Sequence, residues 1–361
     1  MPHPSPHNLR HRTRSAYNRR KSTRANRHGR DNAILRIGLV GAGHFARNHI
    51  EALGRFADRA QVVAYARQHP DKGFPEAEAA GAKRLRADEL IGSPQVDAVF
   101  VCTPNNLHRQ YAEAALRAGK HVFCEKPLAL TAADADAVLA AAAESDGLLM
   151  VGHLARHIPA YATVAELLES GRLGPPVTAY ANRMHCGGGG RSWRMDPEIG
   201  GGVVFDLLVH DLDLLNWYLG PPESVVARGR RHAQGGYDYV AATFTYADGK
   251  IALAEGGFVF RPPAGLRATT RVVCERGHIE VNTHDPEHPI RVFEEGRPEE
   301  TIAVKLDNLL VDGLAAEFEE FFDTLSGAPE GRLRPEDARL AVACAEAVVQ
   351  SARTGEEVGI T

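Results

Sequence analysis

The sequence predicts an α/β protein: an N-terminal Rossmann domain on a doubly wound parallel sheet, then a C-terminal α+β domain with a large open, mainly antiparallel sheet. Three observations predict it. Short apolar, β-branched runs alternate with helical segments from residue 35 to about 153, the pattern of parallel strands joined by right-handed crossovers. A glycine-rich turn stands at the first strand-to-helix junction. Beyond residue 156 the pattern becomes consecutive runs of period-two alternation separated by turn residues, which reads as an antiparallel sheet.

The chain of 361 residues has room for two domains, and 44% hydrophobic with 24% charged residues is a globular composition. No apolar run is long enough to span a bilayer, so no membrane partner is predicted. Residues 1–30 carry nine Lys and Arg and no acid, leaving 33 basic and 46 acidic side chains in residues 31–361, a net of −13. Residues 1–33 lack the apolar content to offset backbone ordering and read as a disordered basic tail. It fits an upstream start without function, a tether to nucleic acid or another acidic surface, or a transit-type segment. Nucleic acid is not expected as a partner except through this tail. Cys102, Cys124, Cys186, Cys274 and Cys344 are scattered, with no CxxC pair and no Cys/His cluster, so no metal site is predicted and free thiols in a reducing cytoplasm are the simplest reading.

The elements follow in order. Residues 35–43 form a strand ending in glycines, with a helix over 44–54; 61–66 is a second strand. Residues 97–104 form the next clear strand, then a helix over 106–118, a strand over 120–127, a helix over 132–145 and a strand over 148–153. This places a dinucleotide-binding domain at 34–155 and a substrate and oligomerisation domain at 156–361. The latter opens with a helix near 159–170, contains a hairpin at Ala247–Lys250, and ends in amphipathic helices over 312–325 and 335–353, the last packing back on the body.

Gly41-Ala42-Gly43-His44-Phe45-Ala46 matches G-x-G-x-x-G/A at a strand-to-helix turn. Gly41 permits the tight turn, Gly43 lets a pyrophosphate approach the backbone, and Ala46 allows the helix to sit close on the sheet. The helix N-terminus supplies free N–H groups and a partial positive charge. An NAD site usually carries an acid at the end of the second strand to accept the ribose 2′-OH; here that position is Arg67, which suits the 2′-phosphate of NADP. NADP is therefore expected as the preferred cofactor, with NAD the alternative.

Two further segments narrow the reading. One is Cys124-Glu125-Lys126-Pro127 at a strand end; the other is Gly200-Gly201-Gly202-Val203-Val204-Phe205-Asp206-Leu207-Leu208-Val209-His210-Asp211-Leu212-Asp213. With the glycine turn, Thr103-Pro104-Asn105-Asn106 and His108, they resemble the Gfo/Idh/MocA family of oxidoreductases over the chain from about residue 35 to its end. The resemblance implies a nicotinamide-dependent oxidoreductase acting on a sugar, polyol or related compound, commonly as a homodimer or homotetramer through the open sheet. It implies that Thr103, Pro104, Asn105, His108, Glu125 and Lys126 face the cofactor, that Lys126, Asp206 and His210 form the catalytic set, and that the chain bends sharply at Pro127.

The chemistry of these residues agrees. Alcohol oxidation needs a base for the O–H proton, and an imidazole titrates near neutral pH, which points to His210. Asp206 lies at i−4 to His210; on an α-helix that puts both on one face, where Asp206 orients the imidazole or binds a substrate hydroxyl, or the two form an ordinary paired contact. Lys126 can stabilise an alkoxide, or relay a proton if its pKa is depressed. Arg156, Arg183, His185 and Trp193 are further substrate-contact candidates, with His153 beside them. Trp193 lies in a loop bounded by Gly187–Gly190 and Gly200–Gly202 that could close over a sugar. A redox-assisted glycosidase that retains NAD, and a non-catalytic NAD(P)-binding regulator, are the alternative functions.

Overall fold

A computed structural model describes residues 34–68, 72–187, 192–306 and 308–361. The basic tail at 1–33 and the glycine stretch with Arg191 at 188–191 lie outside the described residues.

The first sheet has six parallel strands in the order β3-β2-β1-β4-β5-β6. They are β1 (Leu35–Val40), β2 (Ala60–Ala66), β3 (Lys83–Arg84), β4 (Ala98–Val101), β5 (His121–Glu125) and β6 (Leu149–Gly152). Helices α1 (His44–Leu53), α2 (Pro75–Ala79), α3 (Ala87–Gly92), α4 (His108–Arg117) and α5 (Ala132–Glu144) make the crossovers. The order reverses between β1 and β4, so the carboxyl ends of those strands open the crevice where doubly wound sheets bind ligands. β3, only two residues long, carries too little periodicity to be read from sequence.

After α6 (Pro159–Glu169) and β7 (Pro176–Met184), a π-helical turn (Val204–Leu208) runs into α7 (Val209–Leu219). The remaining strands are β8 (Ser224–Arg231), β9 (Tyr237–Thr245), β10 (Ile251–Gly257), β11 (Arg267–Cys274), β12 (Gly277–Asn282), β13 (Ile290–Glu294), β14 (Glu300–Ile302) and β15 (Val358–Gly359). They join β7 in a nine-stranded sheet ordered β14-β13-β12-β11-β7-β10-β9-β8-β15, antiparallel except between β7 and β10. The β9–β10 hairpin turns where expected, closed by the Gly249 N–H on the Tyr246 carbonyl.

Two late helices tie the halves together. α8 (Leu309–Leu325) inserts Phe318 and Phe321, both fully buried, against Phe100 and Phe123 of the parallel sheet. It therefore packs as part of the first domain although it lies far along the chain. Each such ring contributes about 1.5–3 kcal/mol by burial. α9 (Pro335–Thr354) packs across α5, α7 and β8. A continuous apolar core runs from Val99, Val122 and Val151 to Ala181, Val240 and Ala254 on the inner face of the large sheet. No helix among the described residues is long and apolar enough to cross a membrane.

Candidate active site

The glycine turn meets the demands of a dinucleotide. Gly41 has φ +100°, and a Cβ there would stand 2.5 Å from the Cys102 carbonyl, a backbone group that cannot swing away. Gly43 has φ −88° and nothing within 4 Å of where a Cβ would stand. Neither a capping side chain nor an acid occupies the first turn of α1, so its N–H groups and positive end are left for an anion. His44 is exposed and Phe45 half-buried, while Ala46 is fully buried beneath the sheet. Arg67 follows the last residue of β2 and donates from Nη1 to the Gly73 carbonyl at 2.7 Å.

Several residues expected to face the cofactor brace the cleft instead. The buried Asn105 amide donates to the Gly200 carbonyl at 2.9 Å, and Asn106 N–H to Ile199. His108, 1% exposed, puts Nδ1 2.6 Å from the Pro127 carbonyl and Nε2 2.9 Å from the Thr103 carbonyl. Burial lowers its pKa, and a neutral ring donates to one of these carbonyls at a time. Glu125 is buried, with Oε1 2.7 Å from His49 Nε2. Burial alone would strip the His49 proton, but Cys102 and Glu125 beside it outweigh that and push its pKa up to about 10. What remains toward the crevice from this group is Thr103 and Pro104 at the end of β4, and Lys126.

Lys126 follows β5 at a cis Lys126–Pro127 peptide, the bend expected there. Its Nζ crosses to the second domain and donates to the Asp206 carbonyl at 2.6 Å. Burial depresses its pKa; Asp206 and Glu125 oppose this, and Arg194 and Arg183 add to it. His210, on the first turn of α7, is half-buried, and its pKa is driven well down by burial and by the Lys126, Arg183 and His153 charges. Lys126 is thus tied by its ammonium to the turn that leads into α7, the helix on which His210 lies.

Asp206 and His210 are not hydrogen-bonded to each other in the structure. Asp206 lies in a π-helical turn, Val204–Leu208, that runs into α7. Its carboxylate stands 3.2 Å from Arg194 Nε. The His210 Nδ1 atom is buried without a partner.

The remaining substrate candidates separate. Arg156, 2% exposed, holds Asp213 through Nε and Nη2 at 2.7 Å each, and Asp337 and the Arg332 carbonyl through Nη1. Arg183 is clamped on Asp211 at 2.7 and 3.0 Å. Both guanidiniums are thus committed to buried ion pairs, so their place is the frame of the pocket. His185 Nδ1 accepts the Gly187 N–H at 2.7 Å. Trp193 is 36% exposed with the Arg194 guanidinium stacked 4.9 Å over its ring. Its loop is held by a reciprocal pair, the Ser192 N–H on the Gln234 side-chain oxygen and the Gln234 amide on the Ser192 carbonyl.

Sequence reasoning missed His49 and gave no role to Asp211 and Asp213, although both stand in the glycine-to-aspartate segment. The signal for the two acids was present: carboxylates in the apolar run Leu207–Leu215 must be buried, and buried carboxylates need cationic partners.

Comparison with known proteins follows the same outline. Residues 35–153 match the model of an oxidoreductase family with a NAD-binding Rossmann fold, and residues 161–280 match the GFO/IDH/MocA C-terminal domain. The chain is 31% identical over 342 residues to the 1,5-anhydro-D-fructose reductase of Ensifer adhaerens, covering 90% of this chain and 98% of that one. It is 27% identical over 347 residues to the inositol 2-dehydrogenase of Rhizobium meliloti, with 90% and 99% covered. A levoglucosan dehydrogenase solved with NADH and levoglucosan shares the fold, with a TM-score of 0.81 at 21% identity over 91% of this chain and 100% of that one.

Proposed function

The chain belongs to the GFO/IDH/MocA oxidoreductase family, and from that premise we propose that it moves a hydride between a nicotinamide and a secondary alcohol or carbonyl carbon of a sugar or polyol, with NADP preferred over NAD. The observation that carries this reading is the Lys126 Nζ reaching across the domain boundary to the Asp206 carbonyl, four residues before His210.

The bound cofactor supplies the hydride acceptor or donor. The protein does the rest. The α1 N-terminus and Gly43 hold the pyrophosphate. Arg67 takes the 2′-phosphate, and the absence of an acid at its position leaves no acceptor for a 2′-OH. His210, kept neutral by burial and its cationic neighbours, takes the substrate O–H proton. Lys126 lies against the oxygen, where its charge stabilises a developing alkoxide and its depressed pKa eases proton exchange. Arg194 and Trp193 close the mouth, with Asp206 and Arg194 offering an acceptor and a donor to substrate hydroxyls.

The outer face of the large sheet supports the homo-oligomer. Val226, Leu253 and Tyr180 form one row in register across β8, β10 and β7, and Ile251 stands beside them, 45% exposed. A second copy is the occupant this reading assigns, and sedimentation of Leu253→Lys as a smaller species than wild type is the expected result.

The test is a coenzyme-absorbance screen with myo-inositol, levoglucosan and 1,5-anhydro-D-fructose, each with NAD(H) and NADP(H). Turnover of at least one, faster with NADP(H), is expected. No turnover with any of them, or cofactor retained through gel filtration with no net absorbance change during glycoside cleavage, would overturn it.

A further inference from the structure

His210 lacks the partner that a general base needs on its second nitrogen. Its Nδ1 is buried and unbonded, and the Asp206 carboxylate that sequence offered for it lies against Arg194 instead. One residue in the pocket has the opposite problem. His153 is 3% exposed, and neither of its ring nitrogens has a hydrogen-bond partner.

The fold places these two rings together. Glu125 of β5 pairs with Gly152 of β6, so the residues that follow, Lys126 and His153, leave neighbouring parallel strands side by side. Across the cleft, His210 and Asp213 are three apart on α7, hence on one helical face. His153 Nδ1 stands 3.5 Å from Asp213 Oδ2, which fixes His153 against that face. Asp213 is itself held by both forks of Arg156. His210, one helical turn from Asp213 on the same face, therefore lies next to the ring that Asp213 contacts. The charged groups facing His153 are Asp213, Arg156, Lys126 and Asp337; burial, with Arg156 and Lys126, keeps it neutral.

We propose that His153 is the positioning residue of His210: its Nδ1–H points at the Asp213 carboxylate, and its Nε2 accepts the Nδ1–H of His210 across one buried water. A neutral imidazole has one donor and one acceptor, and this assignment uses both. It fixes His210 as the Nδ1–H tautomer, leaving the Nε2 lone pair for substrate. In the oxidation direction the substrate O–H bond breaks and an N–H bond forms at His210 Nε2, while the hydride leaves carbon for the nicotinamide. The positive charge on His210 is then stabilised through its Nδ1–H by the His153 lone pair, with Asp213 behind it. The logic is that of a carboxylate orienting a catalytic histidine, with an imidazole interposed. The proposal rests on the reading of His210 as the base.

Nitrogen-15 imidazole spectra of the protein saturated with the reduced coenzyme it binds more tightly, NADH or NADPH, test it without turnover. His210, assigned by its loss in His210→Asn, is expected with Nδ1 protonated and Nε2 bare. His153→Phe should lose that tautomer and lower kcat about 10- to 100-fold, part of the 10²–10⁴ a general base supplies, with KM and coenzyme Kd within about twofold. His153→Gln, whose Oε1 can stand where Nε2 stood, should keep the tautomer and recover most of kcat. An Nε2–H tautomer in the wild-type protein, or Gln and Phe variants equal in kcat, would overturn the proposal. If the Phe variant fails to bind coenzyme, the tautomer in the Gln variant decides alone, Nδ1–H supporting the proposal and Nε2–H refuting it. A wild-type protein with the Nδ1–H tautomer but no turnover of any sugar would leave this arrangement standing and remove the proposed function.

Discussion

Replacing Gly43 by alanine should separate coenzyme binding from folding, and replacing Gly41 should not. At Gly43 the backbone has φ −88° and an added methyl meets nothing within 4 Å. The smaller entropy of the unfolded chain favours the variant by about 0.4–1 kcal/mol, and a poorer N-cap costs a few tenths, so stability should hold within about 1 kcal/mol. The same methyl occupies the space in front of the α1 N–H groups, where the pyrophosphate must come into backbone contact. Coenzyme affinity should therefore fall at least tenfold, about 1.4 kcal/mol. At Gly41 the φ of +100° costs a side chain about 1–2 kcal/mol, and the contact at 2.5 Å with the Cys102 carbonyl adds about 1–3 kcal/mol of overpacking. Gly41→Ala should lower the unfolding temperature by several degrees as well as weaken coenzyme. Paired thermal unfolding and NADPH titration measure both. A Gly43→Ala protein that binds coenzyme as tightly as wild type would refute the placement of the pyrophosphate at α1.

Three further outcomes follow from the same geometry. Arg67→Asp should shift the ratio of NADP to NAD affinity toward NAD by about tenfold or more; equal binding before and after would mean Arg67 does not touch the 2′-phosphate. Arg156→Leu leaves Asp213 buried without its main cation and should cost about 3–5 kcal/mol in denaturant unfolding; unchanged stability with a raised KM would return Arg156 to the substrate. The raised pKa of His49 carries a pH signature. Its folded value of about 10 exceeds the ordinary 6.5, so its stabilisation is complete below about pH 6.5 and is lost as pH rises toward about 10. His49→Phe should flatten that alkaline decline in the unfolding midpoint, and an unaltered slope would show that the pair with Glu125 does not titrate there.

The parts legible in the sequence were those carried by local pattern. β1, α1 and the glycine turn are contiguous, so their periodicity and turn chemistry are sufficient. Lys126 and His210 stood in recognisable segments, and the family resemblance drawn from them held. What escaped depends on distance or on subtle helix geometry. α8 joins the first domain through Phe318 and Phe321, a pairing with Phe100 and Phe123 that no window of sequence spans. The π-helical turn looks like any helix start in Gly202–His210, and Asp206 within it contacts Arg194 rather than His210. Asn105, His108 and Glu125 sit in the right segments, but their side chains are turned inward to carbonyls and to His49.

Hydride transfer in a single turnover, followed by coenzyme absorbance with the sugar or polyol that proves fastest, tests the convergence of Lys126 and His210 most directly. Lys126→Ala and His210→Ala should each slow it about 10²–10⁴-fold while coenzyme Kd stays within about twofold of wild type. A wild-type rate in either variant would contradict the joining of an ammonium and an imidazole from two domains at one reacting carbon.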